Sequence, residues 1–319
     1  MTAPLRDHRR ITGDRHLLIE ALEGLAGDPK TLPPALFYDA RGAALFEDIT
    51  RLPEYYLSRA EAEILEREAQ TLARLIGPRA IVVEPGSGAA RKVRPLLAAL
   101  DTPVAYVPID VSREQLLEVA AERGAEFPGL RVLPVRGDFT RPLTLPALPP
   151  AARRVVFFPG STIGNLHPHE ASAFLRSMRA IAGDDGAMLL GVDRRKDPRV
   201  LHAAYDDAAG VTAEFNLNAL RHLNRDYGAT FELARFRHRA HFAEAESRIE
   251  MHLEAIVPHT VMVGELEFTF AAGETIRTEV SYKYDRPRLD AVAAAGGWRI
   301  AQLFTDAAAR FWTTWLVPA

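Results

Sequence analysis

The sequence predicts an α/β chain: a doubly wound parallel sheet covered by helices, with a second, α+β domain set into it. Three observations carry that expectation. Short apolar runs alternate with helical patterns from Ala80 to Val192. Between Thr230 and Tyr284 the pattern becomes an alternation of apolar and polar residues, as in Phe231 and Leu233, and in Ile249, Met251 and Leu253. After Pro287 one helix and two strands return to the first texture.

Taken in order, Ala80–Glu84 (AIVVE) is a continuous apolar run, as a strand buried on both faces requires. A glycine turn and the helical stretch Arg91–Leu100 follow it. Val104–Asp110 is the second strand. Ser112 then stands where a helix N-cap is expected, with Gln115 three residues on in capping-box register. Leu130–Val135, Arg154–Phe158 and Ala187–Val192 are the third, fourth and fifth strands, and the helix His169–Ala182 joins the last two. Val200–Leu223 is a long helical pattern bent near Gly210. Thr230–Phe242, Arg248–Val257, Thr260–Phe270 and Thr275–Tyr284 form an antiparallel sheet. Helix Pro287–Ala295, the Gly296-Gly297 turn, and strands Trp298–Phe304 and Arg310–Val317 close the chain. These elements place one domain at 60–196 and 286–319, and a second at 10–59 and 197–285.

The 319 residues are 48% apolar and 25% charged, with a formal net charge of -3. No overall basic field exists, which argues against nucleic acid as the main partner, because phosphate binding needs clustered positive charge. Cysteine is absent. That removes disulfides, thiolate zinc sites and a cysteine nucleophile, and fits a reducing cytoplasm. Met1–Arg10 is basic without a following apolar run, so it reads as a frayed end and not a secretory signal. No run approaches the roughly 18 apolar residues of a membrane span.

Glu84-Pro85-Gly86-Ser87-Gly88 sits at the carboxyl end of the first strand, where a doubly wound sheet binds ligands. Asp110 ends the second strand, and a carboxylate there accepts hydrogen bonds from both ribose hydroxyls. Asp138-Phe139 follows the third strand and offers an acceptor for an adenine amino group beside a ring that covers the base. The third glycine of the dinucleotide fingerprint is missing, since Ala89, Ala90 and Arg91 follow Gly88. No phosphate-binding P-loop string exists either. A cofactor with adenosine but no pyrophosphate fits best, which favours S-adenosylmethionine over NAD. Lys92 reads as a cofactor contact or as a solvated helix lysine.

Methyl transfer from a sulfonium is an in-line displacement, so the protein must mainly align an amine lone pair and exclude water. The fourth strand leads into the glycine-rich Gly160-Ser161-Thr162-Ile163-Gly164-Asn165-Leu166. In that loop Asn165 addresses a carboxylate or an amine, or serves as a turn residue. Two other features are set aside. Pro168 and the first-turn acid Glu170 make His167-Pro168-His169-Glu170 a helix start, not a metal site. In Arg235–His241, alternation turns Arg237, Arg239 and His241 outward.

Several strings together resemble the histidine Nα-methyltransferases of ergothioneine biosynthesis. They are Phe37–Phe46 (FYDARGAALF), Ile49–Ser58 (ITRLPEYYLS), Arg59-Ala60-Glu61, Gly160–Leu166 (GSTIGNL), Tyr205–Leu217 (YDDAAGVTAEFNL), Arg248–Met251 (RIEM) and Arg277–Ser281 (RTEVS). The resemblance spans nearly the whole chain. It implies a Rossmann-like class I methyltransferase domain plus a substrate-binding domain, acting as a monomer on a small molecule without membrane or metal. It also implies that Gly86, Lys92, Asp110, Asp138 and Phe139 bind S-adenosylmethionine. Asn165 and Tyr205 would hold the substrate carboxylate, with Tyr38 and the Gly160 backbone near the amine. Tyr55, Glu279, Val280 and Ser281 would surround the imidazole of L-histidine, which such enzymes methylate three times to hercynine. A carboxylate at Glu279 suits that role, because a charge-assisted bond to an imidazole N–H is strong.

Pro85, the run Ala89-Ala90-Arg91, His252 and Tyr282 depart from the pattern the family implies. Competing readings are an N-methyltransferase of another free amino acid such as tryptophan, an NAD-dependent oxidoreductase, and a non-catalytic partner that keeps the fold. Asp110, Asn165 and Glu279 are all present, which opposes the last of these.

Overall fold

A computed structural model describes residues 13–319. The basic stretch Met1–Arg10 and the expected domain start at residue 10 lie outside the described residues. The chain divides into two compact units, one comprising the residues up to Tyr56 with Asp197–Ser281, the other Leu57–Lys196 with Tyr282–Ala319.

The second unit is built on a twisted sheet. From edge to edge its strands are Trp298–Thr305, Phe311–Pro318, Ala187–Asp193, Arg153–Phe158, Ala80–Pro85, Ala105–Asp110 and Arg131–Val132. Phe311–Pro318 runs antiparallel to both of its neighbours, and the remaining pairings are parallel. Chain order reverses at Ala80–Pro85, which lies between Ala105–Asp110 and Arg153–Phe158. Ligands of doubly wound sheets bind outside the strand ends at such a reversal. The inner strands have few polar side chains because both faces are covered. Val155 and Phe157 pack with Leu65 and Leu72 on one face, while Val156 and Phe158 pack with Phe174 and Leu175 on the other. Helices Leu57–Ile76 and Pro168–Ala182 supply those partners.

Two expected elements differ here. The third strand is not continuous: Arg131–Val132 and Val135–Arg136 pair separately with Ala105–Asp110, interrupted at Pro134, which has no N–H to give the ladder. The first crossover helix begins at Arg94, because the backbone from Gly88 to Val93 is occupied by turns, with Ala90 at φ 49°. The Ser112 cap forms as its position predicts, its hydroxyl accepting the Gln115 N–H at 3.3 Å.

The first unit carries a four-stranded sheet in the order Lys30–Thr31, Thr275–Tyr282, Arg248–Ala255, Phe236–Ala243. The expected strand Thr260–Phe270 is a hairpin of His259–Val263 and Leu266–Phe270, turning at Gly264 with φ 60°. The start of the expected strand Thr230–Phe242 is instead a 3-10 turn at Leu233–Arg235. The long helical pattern splits into Pro198–Tyr205 and Val211–Tyr227, with Gly210 at φ 74° between them. Asn216 ties the second of these helices to the sheet. Its side chain is fully buried, donates to the His252 carbonyl at 3.0 Å, and accepts from the Thr278 hydroxyl at 2.7 Å. Among the described residues no helix is long and apolar enough to cross a membrane.

Candidate active site

In the second unit, the loop after Ala80–Pro85 turns on glycines with positive φ, 66° at Gly86 and 49° at Gly88. Asp110 braces this loop: one carboxylate oxygen accepts the Gly88 N–H at 2.9 Å and the other accepts the Ser112 N–H at 3.0 Å. Each oxygen keeps a lone pair for another donor. Phe139 lies against Gly86, where a Cβ would stand 3.0 Å from the ring. The ring is held edge-on by Phe158 and Phe174, at centroid distances of 5.4 and 5.8 Å. Asp138 folds onto its own turn, accepting from the Thr140 amide at 2.9 Å and the Thr140 hydroxyl at 2.6 Å.

The residues present fit an adenosyl cofactor. Ser87 Oγ is buried with no hydrogen-bond partner among the described residues, and a Cβ at Gly88 would meet nothing within 4 Å. A buried hydroxyl left unpaired costs about 1–3 kcal/mol, which a polar ligand removes. The loop therefore leaves both room and an unsatisfied group.

Glu61 is the residue that reading the sequence missed. It lies on helix Leu57–Ile76, is 1% exposed, and accepts the Gly160 N–H on both oxygens at 2.9 and 2.8 Å. Lys92 Nζ is 2.8 Å from the same carboxylate. Lys92 is thus paired and not a freely solvated lysine. The signal was present: Glu61 falls on the apolar stripe of Leu57, Ile64, Leu65 and Leu72, where a carboxylate must be inward. Gly191 makes room for it, since a Cβ there would stand 2.1 Å from Glu61 Oε1.

Glu84 is the other buried carboxyl near this loop. Burial pushes its carboxyl up to about 8, against the lowering effects of the Tyr106 hydrogen bond and the Lys92 charge. The Tyr106 hydroxyl donates to it at 2.5 Å. At neutral pH the acid beside Gly86 is therefore mostly neutral.

Gly160 adopts φ 82° and Ser161 φ 57°, opening the turn Thr162–Asn165 that ends on Asn165. The Ser161 hydroxyl accepts the Asp193 N–H at 2.9 Å. Asp193 itself is fully buried against Lys283 at 2.9 Å and Lys196 at 2.5 Å. Burial alone would raise its carboxyl, and the two ammonium groups hold it below the usual range. Gly164 lies under Tyr282, where a Cβ would be 2.8 Å from the Tyr282 carbonyl oxygen. Tyr282, one of the departures from the family pattern, also shares a hydrogen bond with His167 at 3.1 Å.

In the first unit the other expected residues gather. The Tyr205 hydroxyl and Ser281 Oγ are 2.8 Å apart in a buried hydrogen bond. Tyr55 meets Tyr205 edge-on at 6.3 Å between ring centroids. Tyr38 packs against Phe46 and Phe215 and remains 51% exposed. Desolvation first, then the charges of Glu279 and Tyr205, push the Tyr38 hydroxyl above its ordinary value, so it is a neutral phenol. Val280 is buried between Glu279 and Ser281. Tyr38, Tyr55, Tyr205, Glu279 and Ser281 thus share one neighbourhood, while Asn165 ends the turn after Ser161 in the second unit.

Known proteins agree with this chemistry. The chain is 43% identical over 293 residues to the histidine N-alpha-methyltransferase of Mycolicibacterium smegmatis, with 90% of each chain covered. It is 42% identical over 297 residues to the histidine N-alpha-methyltransferase of Mycobacterium tuberculosis, with 92% of each covered. Ergothioneine biosynthesis protein 1 of Neurospora crassa is 33% identical over 286 residues, covering 84% of this chain and 31% of that longer one. A family model described as histidine-specific methyltransferase, SAM-dependent, matches residues 17–318. The chain belongs to the family of histidine-specific, S-adenosylmethionine-dependent methyltransferases.

Proposed function

We propose that this protein transfers methyl groups from S-adenosylmethionine to the α-amino group of L-histidine, three times in succession, giving hercynine for ergothioneine biosynthesis. The observation that carries the reading is the polar group of Tyr38, Tyr55, Tyr205, Glu279 and Ser281 in one unit of a chain whose other unit carries the cofactor loop. Its support in sequence is the similarity to histidine N-alpha-methyltransferases. The cofactor, when bound, supplies a methyl group on a positively charged sulfur.

The chain's own residues do the rest. Gly86, Gly88 and Ser87 offer backbone room and a free hydroxyl, Asp110 accepts ribose hydroxyls, and Asp138 with Phe139 takes the adenine. Lys92, anchored by Glu61, stands four residues after Gly88 at the end of the same loop. Because the Gly160 N–H is committed to Glu61, the Gly160 carbonyl is the group left to accept an amine N–H. Asn165 and Tyr205 would hold the substrate carboxylate, and Glu279, Val280, Ser281 and Tyr55 the imidazole. Each transfer forms an N–C bond and breaks an S–C bond. The α-ammonium of histidine sheds a proton before the first transfer, the first two products each shed one before the next, and the third leaves a quaternary nitrogen with none to lose. The α-amine of histidine is acidic enough for water to take those protons, so no strong base is needed. The reading extends to a cytoplasmic monomer that needs no nucleic acid or membrane; the net charge of -3 and the absence of cysteine support it.

Mass spectrometry of purified protein with S-adenosylmethionine and a panel of free amino acids tests the proposal. Stepwise methylation of histidine alone, ending at the trimethylated betaine, is the expected outcome. Transfer to tryptophan or another amino acid in preference would overturn the substrate, and no transfer to any of them would overturn the reaction.

A further inference from the structure

His252, one of the departures from the family pattern, has a setting of its own. Strand Phe236–Ala243 pairs antiparallel with Arg248–Ala255, placing His241 opposite Glu250 and Arg239 opposite His252. Side chains alternate along a strand, so His241, Glu250 and His252 share the face opposite to buried Ile249, Met251 and Leu253. His252 Nε2 lies 2.9 Å from Glu250 Oε2, and His241 Nε2 lies 3.7 Å from the same oxygen. The two imidazole rings stack at 5.1 Å, and one ligand atom from each of the three residues falls within 4.8 Å of the others.

A tetrahedral cation with bonds of about 2.1 Å sets neighbouring ligand atoms about 3.4 Å apart. The spacings of 2.9 and 3.7 Å to Glu250 Oε2 straddle that value, so small side-chain rotations close the site. Arg248 holds the other carboxylate oxygen, its Nε 2.7 Å from Oε1. It thus aims Oε2 at the imidazoles, as an outer partner of a ligand does. Arg277 Nη1 is 4.0 Å from Oε1 and, with Arg248, lowers the negative charge a cation would feel. Two imidazoles and one carboxylate oxygen favour zinc or another imidazole-preferring transition ion over magnesium or calcium.

We propose that His241, Glu250 and His252 form a binding site for a divalent transition-metal cation. The His241 side chain is 52% exposed, so the cation enters from solvent and keeps water as its remaining ligand. The site departs from the expectation that the chain holds no metal.

Calorimetric titration of the metal-free full chain with zinc tests the site, with cobalt absorption as a second readout. One equivalent should bind, with visible cobalt bands of low-coordinate geometry. His241→Ala and His252→Ala should each weaken binding at least about tenfold, with circular dichroism unchanged. His169→Ala, in the other unit, should bind as the parent does. If zinc binds no more tightly to the parent than to both His241→Ala and His252→Ala, or if His169→Ala loses as much as they do, the site does not exist. The three residues are then only a cross-strand hydrogen-bonded ladder like Arg237 and Arg239 with Glu254.

Discussion

Both carboxylate oxygens of Glu61 accept the backbone N–H of Gly160. Through Lys92, the same carboxylate reaches the cofactor loop's own helix turn. Glu61→Ala leaves the Gly160 N–H unpaired and Lys92 without its partner. A loss of about 1–3 kcal/mol in folding stability is expected, together with weaker binding of S-adenosylhomocysteine by calorimetry. Glu61→Gln keeps an acceptor for Gly160 and should recover part of the stability but not the Lys92 pairing. Parent-like binding and stability in Glu61→Ala would show that the contact contributes nothing.

Gly191→Ala places a methyl group 2.1 Å from Glu61 Oε1. The expected cost is about 1–3 kcal/mol, the range for overpacking a filled interior. In a double variant with Glu61→Ala the closest clash disappears, leaving only the Gly160 N at 3.2 Å, so the two costs should fall short of additivity. Denaturant titration of the four proteins measures this, and strict additivity would contradict it.

Glu279→Ala should raise KM for histidine by about tenfold to a hundredfold, the worth of a hydrogen bond to a charged group. The dissociation constant for the cofactor should stay unchanged. Tyr205→Phe removes the hydroxyl paired with Ser281 and should raise KM in the same direction by less. Initial-rate kinetics separate these outcomes, and a parent-like histidine KM in Glu279→Ala would remove it from the substrate site.

Glu84 supplies a pH signature. Its carboxyl is raised from 4.5 to about 8 in the folded chain, first by desolvation. Below the unfolded value both states carry the proton and the stability that it gives is fully present. From about pH 4.5 to 8 the unfolded state loses the proton first, so that contribution falls by up to about 1.4 kcal/mol per pH unit. Glu84→Gln, neutral at every pH, should therefore gain on the parent as pH rises through this window. Urea titrations at pH 6 and pH 8 read the difference; an unchanged gap means that Glu84 is ionised when folded.

The parallel strands were legible because apolar runs such as AIVV and VVFF have few other solutions in a chain of this size. Turns that depend on one residue were harder. Pro134 breaks its strand, and Gly264 makes two strands of one, although each carries the local signal. The helices Arg15–Ala26, Ala40–Arg51 and Leu57–Ile76 also carry helical periodicity, although the sequence reading assigns no element before Ala80. In the cofactor loop, Gly86 and Asp110 stand out by position after strands. Ser87 does not, because its importance lies in a partner it lacks, and the periodicity of Glu61 marks it as inward without naming the partner it reaches. No local pattern marks a contact between residues 61 and 160.

Phe311–Pro318 fits between Trp298–Thr305 and Ala187–Asp193, pairing Phe311 with Asp193. A ribosome makes Ala187–Asp193 long before it makes that partner, and the whole Asp197–Ser281 segment emerges in between. Through that interval Met188, Leu189 and Leu190 form an unpaired apolar edge, the kind that captures other nascent chains. Vectorial synthesis therefore exposes the sheet at its most adhesive strand, and slower elongation between residues 197 and 311 should lower the soluble yield.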